Sequence, residues 1–241
     1  MNAIEIRELS KQYKNLTAVD RLSLEIGSGE LFSLLGVNGA GKTTTIKMLS
    51  CLTRPSAGDA LLNGRSVLRD SAAVKSIIAV SPQETAVAPQ LSTRENLEFM
   101  AGIHGMSKGE AREKCIRLSR QLGLDTVYNK KAGKLSGGWQ RRLSIAMALI
   151  SEPEILFLDE PTLGLDVLAR SELWELIRGL KGKITVILTT HYMEEAEALS
   201  DRTGIMKNGR LIAVGTPHEI KARAGTDRFE EAFIRLVKEA E

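Results

Sequence analysis

Residues 36–43 read GVNGAGKT, and what this stretch folds into decides the class of the protein. Just before it, LFSLL at 31–35 is a short continuous apolar run, the pattern of a strand buried on both faces. Just after it, TTTIKMLSCL at 43–52 has helical spacing. The segment fits G-x-x-x-x-G-K-[ST] between a strand and a helix, the context in which that pattern makes a phosphate-binding loop. Gly36, Gly39 and Gly41 let the backbone wrap, so that N–H groups of residues 38–44 converge on a β-phosphate. Lys42 brings a positive charge to the β- and γ-phosphates, and the Thr43 hydroxyl is placed to bind Mg²⁺. Gly36, Val37, Asn38, Gly39, Ala40, Gly41, Lys42, Thr43 and Thr44 are therefore expected to hold a nucleoside triphosphate.

Such a site needs a carboxylate for the metal, and EILFLDE at 154–160 supplies one. Ile155 to Leu158 bury the strand, and Asp159 emerges at its carboxyl end, where the phosphate loop of a parallel sheet also opens. Asp159 is placed to hold Mg²⁺ through water. Glu160 is suited to polarise the attacking water as general base. His191 follows the buried strand ITVILTT; it either caps that strand or reaches a γ-phosphate and orders the water. Gln83, just beyond SIIAVSP, is a polar loop residue or a further oxygen ligand of Mg²⁺. Tyr13 is one more strand aromatic or a face for an adenine ring.

The rest of the chain alternates in the same α/β manner. AIEIREL and RLSLEI read as half-buried strands, ALLNG as a strand ending in a turn, and Asn208-Gly209 as a hairpin between TGIMK and RLIAVG. From about Ser92 to Gly123 the pattern turns helical, with Ser92-x-x-Glu95 and Ser107-x-x-Glu110 each fitting a capping box. These signals divide one 241-residue domain into a β subdomain and phosphate-loop core (1–83 and 152–216), an inserted helical subdomain (84–151) and a short helical tail (217–241) with an amphipathic closing helix around DRFEEAFIRL. Cys51 and Cys115 sit in apolar helical patterns without metal-ligand spacing and are expected to be reduced core thiols. With 33 basic against 30 acidic residues the charge is too balanced to argue for nucleic acid. No apolar run reaches the length of a membrane span, and MNAIEIRELS lacks the apolar stretch of a signal peptide, so a membrane role would need a partner.

One stretch resists a purely structural reading. KLSGGWQRR at 134–142 places two glycines ahead of the apolar helix LSIAMALI. Each would cost a helix interior roughly 1 kcal/mol relative to alanine, so bare backbone serves something there. An anion approaching the free N–H groups of a helix start is the candidate, with a plain turn as the alternative.

The ordered set GVNGAGKT, SPQ, KLSGG, ILFLDE, LGLD and TTH resembles the ATP-binding subunits of ABC transporters, from Tyr13 to about Pro217. The resemblance implies a P-loop NTPase core with a mainly parallel sheet, an N-terminal antiparallel β subdomain and an inserted α-helical subdomain, working with ATP and Mg²⁺. On it, Lys42 and Thr43 match the Walker A positions, Gln83 the Q-loop glutamine, and Asp159 and Glu160 the Walker B metal and base positions. His191 matches the switch histidine, Asp166 the D-loop aspartate, and Tyr13 the adenine-stacking aromatic. Ser136, Gly137 and Gly138 match the signature motif, which in the family covers the γ-phosphate of ATP held by the other subunit. The family pattern thus implies two chains head to tail around two ATP, either two copies of this chain or one copy with a related subunit. It also implies a polytopic membrane permease subunit, and a place on the cytoplasmic face of the membrane. One departure stands out: Trp139 occupies the position where the family's commonest signature has glutamine, and packing between the helical lobe and the core is its expected role. THYMEEAEALSDR and IMKNGRLIAVGTPHEI look like subunits that drive drug, sodium or polysaccharide exporters, and the chain ends without the large extra domain usual in sugar importers. A soluble ABC ATPase acting on a protein scaffold, as in iron–sulfur cluster assembly, is the alternative.

Overall fold

The computed structural model describes residues 2–240. Two long strands, β1 (Asn2–Tyr13) and β2 (Leu16–Gly27), pair antiparallel and are followed by β3 (Leu31–Leu35), the phosphate loop and α1 (Lys42–Leu49). Then come β4 (Ala57–Leu62), β5 (Arg65–Ser66), α2 (Ser71–Lys75) and β6 (Ile78–Ser81). Helices α3 (Thr93–Ile103), α4 (Lys108–Gln121) and α5 (Gly137–Leu149) form the inserted lobe. The core resumes with β7 (Ile155–Asp159), α6 (Val167–Arg178), β8 (Thr185–Thr190), α7 (Met193–Leu199), β9 (Arg202–Lys207) and β10 (Arg210–Gly215), and closes with α8 (Pro217–Ala224) and α9 (Phe229–Glu239).

Two sheets result. The antiparallel sheet has the order β2-β1-β4-β5, and the larger one β10-β9-β3-β8-β7-β6. In the larger sheet all neighbours run parallel except the β9–β10 hairpin. Its central strands β3, β7 and β8 are buried at every residue, as continuous apolar runs covered on both faces must be. One core, including Ile4, Leu22, Phe32, Ile46 and Phe157, lies between the sheets and around α1. Leu156, Leu158, Leu173 and Leu188 fill the opposite face under α6, joined there by Ile145 and Ala148 of α5. The lobe has a separate core from Leu97 to Ile150. Helix α5 is therefore shared, with one side in the lobe and the other on the sheet.

Both capping boxes form: the hydroxyls of Ser92 and Ser107 accept the backbone N–H of Glu95 and Glu110, and the two carboxylates reach back to the serine N–H groups. Two local expectations need correction. Helix α1 ends at Leu49, and Cys51 lies beyond it, half-buried, with φ +56; only Cys115 is a buried helical thiol. The closing helix forms as α9, and ahead of it Thr216 and Glu219 form a third capping box that starts the further helix α8, which Gly225 at φ +63 stops. Helix α5 starts at Gly137, so the paired glycines lie inside its first turn and not ahead of it.

Candidate functional site

Strand order places the chemistry. With β3, β8 and β7 adjacent and parallel, their carboxyl ends bring together the phosphate loop after Leu35, His191 after Thr190, and Asp159 and Glu160 at the end of β7. Over them opens a cleft of about 750 Å³ lined by residues 38–44, Tyr13, Gln83, Glu160 and His191. Leu16, Thr17, Ala18, Leu163 and Asn208 complete the wall. Sequence reading assigned none of these five to the site: Leu16, Thr17 and Ala18 reach the cleft through the pairing of β1 with β2, Asn208 through the β9–β10 hairpin, and Leu163 from the loop after β7.

The loop is shaped to receive an anion. Gly41 has φ +106, and a Cβ there would stand 2.5 Å from the Ala18 carbonyl oxygen, so no other residue fits. It precedes α1 without any side-chain cap, leaving the first-turn N–H groups of that helix facing the cleft. Lys42 is 6% exposed, its Nζ donating to the carbonyls of Gly36 (2.7 Å) and Val37 (3.3 Å). Gly36 and Val37 thus act through their carbonyls, behind the residues that line the cleft.

Lys42 Nζ forms an ion pair with Glu160 Oε1 at 3.2 Å, and Glu160 Oε2 meets His191 Nδ1 at 2.7 Å. Glu160 itself is strained. Its φ of +49 is a conformation non-glycine residues avoid, held by its N–H donating to both the carbonyl and hydroxyl oxygens of Thr189 (3.1 and 3.0 Å). The Thr189 hydroxyl donates in turn to Asp159 Oδ1 at 2.5 Å, and Thr43 Oγ1 donates to the same oxygen at 3.1 Å. Asp159 is buried behind Thr43 and stays off the cleft surface. A hydroxyl and a carboxylate this close are hard oxygen donors of the kind Mg²⁺ takes. Among the described residues no cluster of three or more His, Cys, Asp or Glu could hold a metal.

Ser136, Gly137, Gly138 and Asp166 are elsewhere. Ser136, Gly138 and Asp166 line a second, smaller cleft of about 250 Å³ with Trp139, Arg142 and Leu168, and the two clefts share no residue. Ser136 is the N-cap of α5 in position only: its hydroxyl makes no capping bond, and it is exposed. Asp166 caps α6, its Oδ1 accepting from Ala169 N–H at 2.9 Å. Trp139 packs on the lobe core, with the Arg142 guanidinium over its ring at 5.0 Å, and it is Arg142, bound to Glu172, that links this surface to α6. Gly138 has a packing duty, since a Cβ there would lie 2.9 Å from that of Ala169; at Gly137 the nearest atom is 3.6 Å away. Tyr13 is half-exposed at the cleft edge, with Lys11 Nζ 5.0 Å over its ring.

Two buried charges behind the site escaped sequence reading. Arg141 donates to the carbonyls of Pro82 (2.7 Å) and Gln83 (2.5 Å), and burial holds its guanidinium below the ordinary arginine pKa. Glu195 of α7 accepts from Trp174 Nε1 at 3.0 Å, and burial pushes its carboxyl pKa up. A third cleft, of about 660 Å³, lies at the amino ends of β7 and β8. Two of its cations, Lys114 and Arg117, are paired with Glu152.

Comparison with known proteins agrees with this geometry. Residues 19–163 match the family model described as ABC transporter. The chain is 42% identical over 229 residues to the daunorubicin resistance ATP-binding protein DrrA3 of Streptomyces coeruleorubidus, covering 95% of this chain and 72% of that one. It is 39% identical over 240 residues to YbhF of Escherichia coli, named as a probable multidrug ABC transporter ATP-binding protein, covering 97% of this chain but 41% of that longer one. Among solved structures, a dimeric post-hydrolysis ATP-binding cassette bound to ADP and Pi superposes with a TM-score of 0.79 at 27% identity, covering 88% of this chain and 98% of that one. A glycine-wrapped lysine loop, a strained acid beside it and these relationships together make the chain an ATPase of the ABC transporter family.

Proposed function

We propose that two such chains close head to tail around two ATP molecules, each triphosphate gripped by the Lys42 loop of one subunit and the Ser136 helix start of the other. The observation that carries this is the separation of the two clefts: the uncapped helix start at Ser136 lines a surface that contains no phosphate-loop residue. An exposed helix start with unsatisfied N–H groups and two glycines is suited to an anion brought from outside. Asp166 and the exposed Leu168 beside it belong to the same surface.

Within one subunit, the γ-phosphate replaces Glu160 as the partner of Lys42. The triphosphate carries more charge than a carboxylate and adds the N–H groups at the start of α1. Glu160, released from Lys42, keeps its bond to His191 and takes the attacking water as general base, with His191 orienting both. Thr43 and Asp159, with the Gln83 side chain at the cleft, would hold Mg²⁺, which would supply positive charge to the developing phosphate oxygens. Tyr13 takes the adenine face once Lys11 moves aside. Phosphate release removes the shared ligand, and the pair opens.

No helix among the described residues is long and apolar enough to cross a membrane. The ABC transporter family match supports delivery of the stroke to a membrane subunit, with this chain at the cytoplasmic face. Export of drug-like or other hydrophobic cargo is the direction favoured by the resistance and multidrug names of its relatives. Glu160→Gln tests the scheme. It retains ATP binding, slows hydrolysis by about 10²–10⁴-fold and gives an ATP-dependent dimer on gel filtration. Unchanged turnover would remove Glu160 from the role of base, and a chain that stays monomeric with bound ATP would refute the two-sided grip.

A further inference from the structure

The segment that joins β6 to α3 carries Gln83, and the lobe holds it at both ends. Asn96 of α3, 1% exposed, accepts from Ala88 N–H (2.8 Å) through Oδ1 and donates through Nδ2 to the carbonyls of Ala88, Leu91 and Ser92. At the other end Arg141 of α5 grips the consecutive carbonyls of Pro82 and Gln83, and one turn further along α5 the Ser144 hydroxyl meets that of Ser81 at 3.0 Å. Arg141 is 5% exposed, and among the described residues no carboxylate lies within ion-pairing distance of it. Its direct partners are therefore two carbonyl dipoles, with the Asp159 carboxylate acting on it only from beyond ion-pairing distance. Either bond is costly to open, because a buried guanidinium that loses an acceptor has no water to replace it. Arg141 lies five residues along the helix that Ser136 begins, roughly 7 Å by helical rise.

We propose that Arg141 is a positioning residue that makes the backbone at Gln83, in one ATP cleft, and the Ser136 helix start, which faces the other ATP, move as one body. The inference rests on the head-to-tail reading above. Because the acceptors are main-chain carbonyls, the coupling does not depend on the side chains at 82 and 83. Whatever draws the Gln83 side chain toward a bound nucleotide and its metal pulls α5 with it. A chain whose own cleft is filled thus presents its glycines in the arrangement that the second nucleotide requires.

The test uses the full chain carrying Glu160→Gln, with Arg141→Met and Arg141→Lys added separately. A fluorescent ATP analogue at low protein concentration reads binding to one chain, and light scattering reads ATP-driven dimerisation. Arg141→Met is expected to leave single-chain affinity within about twofold while raising the ATP concentration for half-maximal dimerisation about tenfold, with Arg141→Lys between, since one ammonium replaces a two-pronged donor. It should also raise the Mg²⁺ concentration needed for tight analogue binding in the single chain. That readout does not need a dimer. If Glu160→Gln alone fails to dimerise, the two-sided grip has failed, and the Mg²⁺ shift then decides on Arg141. Unchanged dimerisation and Mg²⁺ requirement would overturn the proposal, as would parallel losses of melting temperature and analogue affinity, which mark a merely structural residue. Should the Met variant not fold, the Lys variant carries the same readouts.

Discussion

Two helices of this protein begin at glycine without a side-chain cap, and their surroundings are opposite. At the start of α1, Lys42 is buried and wired to Glu160 and through it to His191. At the start of α5, Ser136 and Gly137 are exposed and no cation stands ready within the helix turn itself. The first site carries its own charge balance and can accept a triphosphate alone. The second offers N–H groups and a hydroxyl, which are too weak to hold an anion in water unless something else delivers it. One half of the ATP grip is self-sufficient, and the other is complementary to it.

The most forceful way to break this contrast is to remove each half in turn. Lys42→Ala takes away the cation that meets both phosphates and is expected to weaken ATP binding to the single chain by roughly 100-fold. It also leaves Glu160 buried with only His191. The nucleotide-free protein should lose about 2 kcal/mol, less than the usual cost of splitting a buried pair because one partner remains. Ser136→Ala should change neither single-chain affinity nor melting temperature and should act only on ATP-driven dimerisation. Equilibrium binding and thermal denaturation of both variants check this. If Ser136→Ala weakens the single chain as Lys42→Ala does, the two starts are not different in kind.

A finer test separates the two glycines of α5. A methyl at Gly138 would meet Ala169 at 2.9 Å, whereas at Gly137 it meets Leu165 at 3.6 Å, an ordinary contact. Gly138→Ala therefore forces α5 off α6, at about 1–3 kcal/mol. Gly137→Ala is expected to leave stability unchanged or slightly improved, since alanine is the better helix former. If Gly137→Ala nevertheless weakens dimerisation, bare backbone at that position serves the approach of phosphate. If it does nothing, the pair is explained by packing and by Gly138 alone.

What the sequence disclosed follows the same division. GVNGAGKT and ILFLDE were readable because loop, strand and chemistry are contiguous, and the Ser-x-x-Glu boxes because each cap closes within four residues. Thr216-x-x-Glu219 was as readable and would have revealed the second tail helix. Other features depend on chain crossings. The left-handed conformation of Glu160 is fixed by Thr189, 29 positions away in β8, and nothing in EILFLDE announces it. Arg141 sits in a basic pair that looks like a solvated helix face, and only the return of α5 along β6 buries it on the Pro82 and Gln83 carbonyls. The early placing of the α5 start beyond its glycines came from weighing helix propensity over packing, and the contact with Ala169 reverses that order.

The smallest effect probes the capped starts against the bare ones. Glu95 accepts from the backbone N–H of Ser92 and from its hydroxyl, Glu110 from the hydroxyl region and N–H of Ser107, and Glu219 from the N–H of Thr216, and these bonds hold all three carboxyls below their ordinary pKa. A carboxyl with a lowered pKa in the folded state contributes stability that is present above its unfolded value of 4.5 and disappears as pH falls through the folded one. Glutamine at the three positions keeps an acceptor for the same N–H groups but has no charge to lose. The triple Gln variant should melt slightly below the wild type at about pH 6 and converge with it toward about pH 3, as the wild-type carboxyls take up protons. The starts of α1 and α5, which have no such acid, should show no matching trend: single-chain ATP affinity of the triple variant stays at the wild-type value throughout. A melting difference that widens on acidification would mean that the three glutamates act as charges toward distant basic groups and not as caps, and the contrast between self-capped helices and those left open for phosphate would lose its electrostatic half.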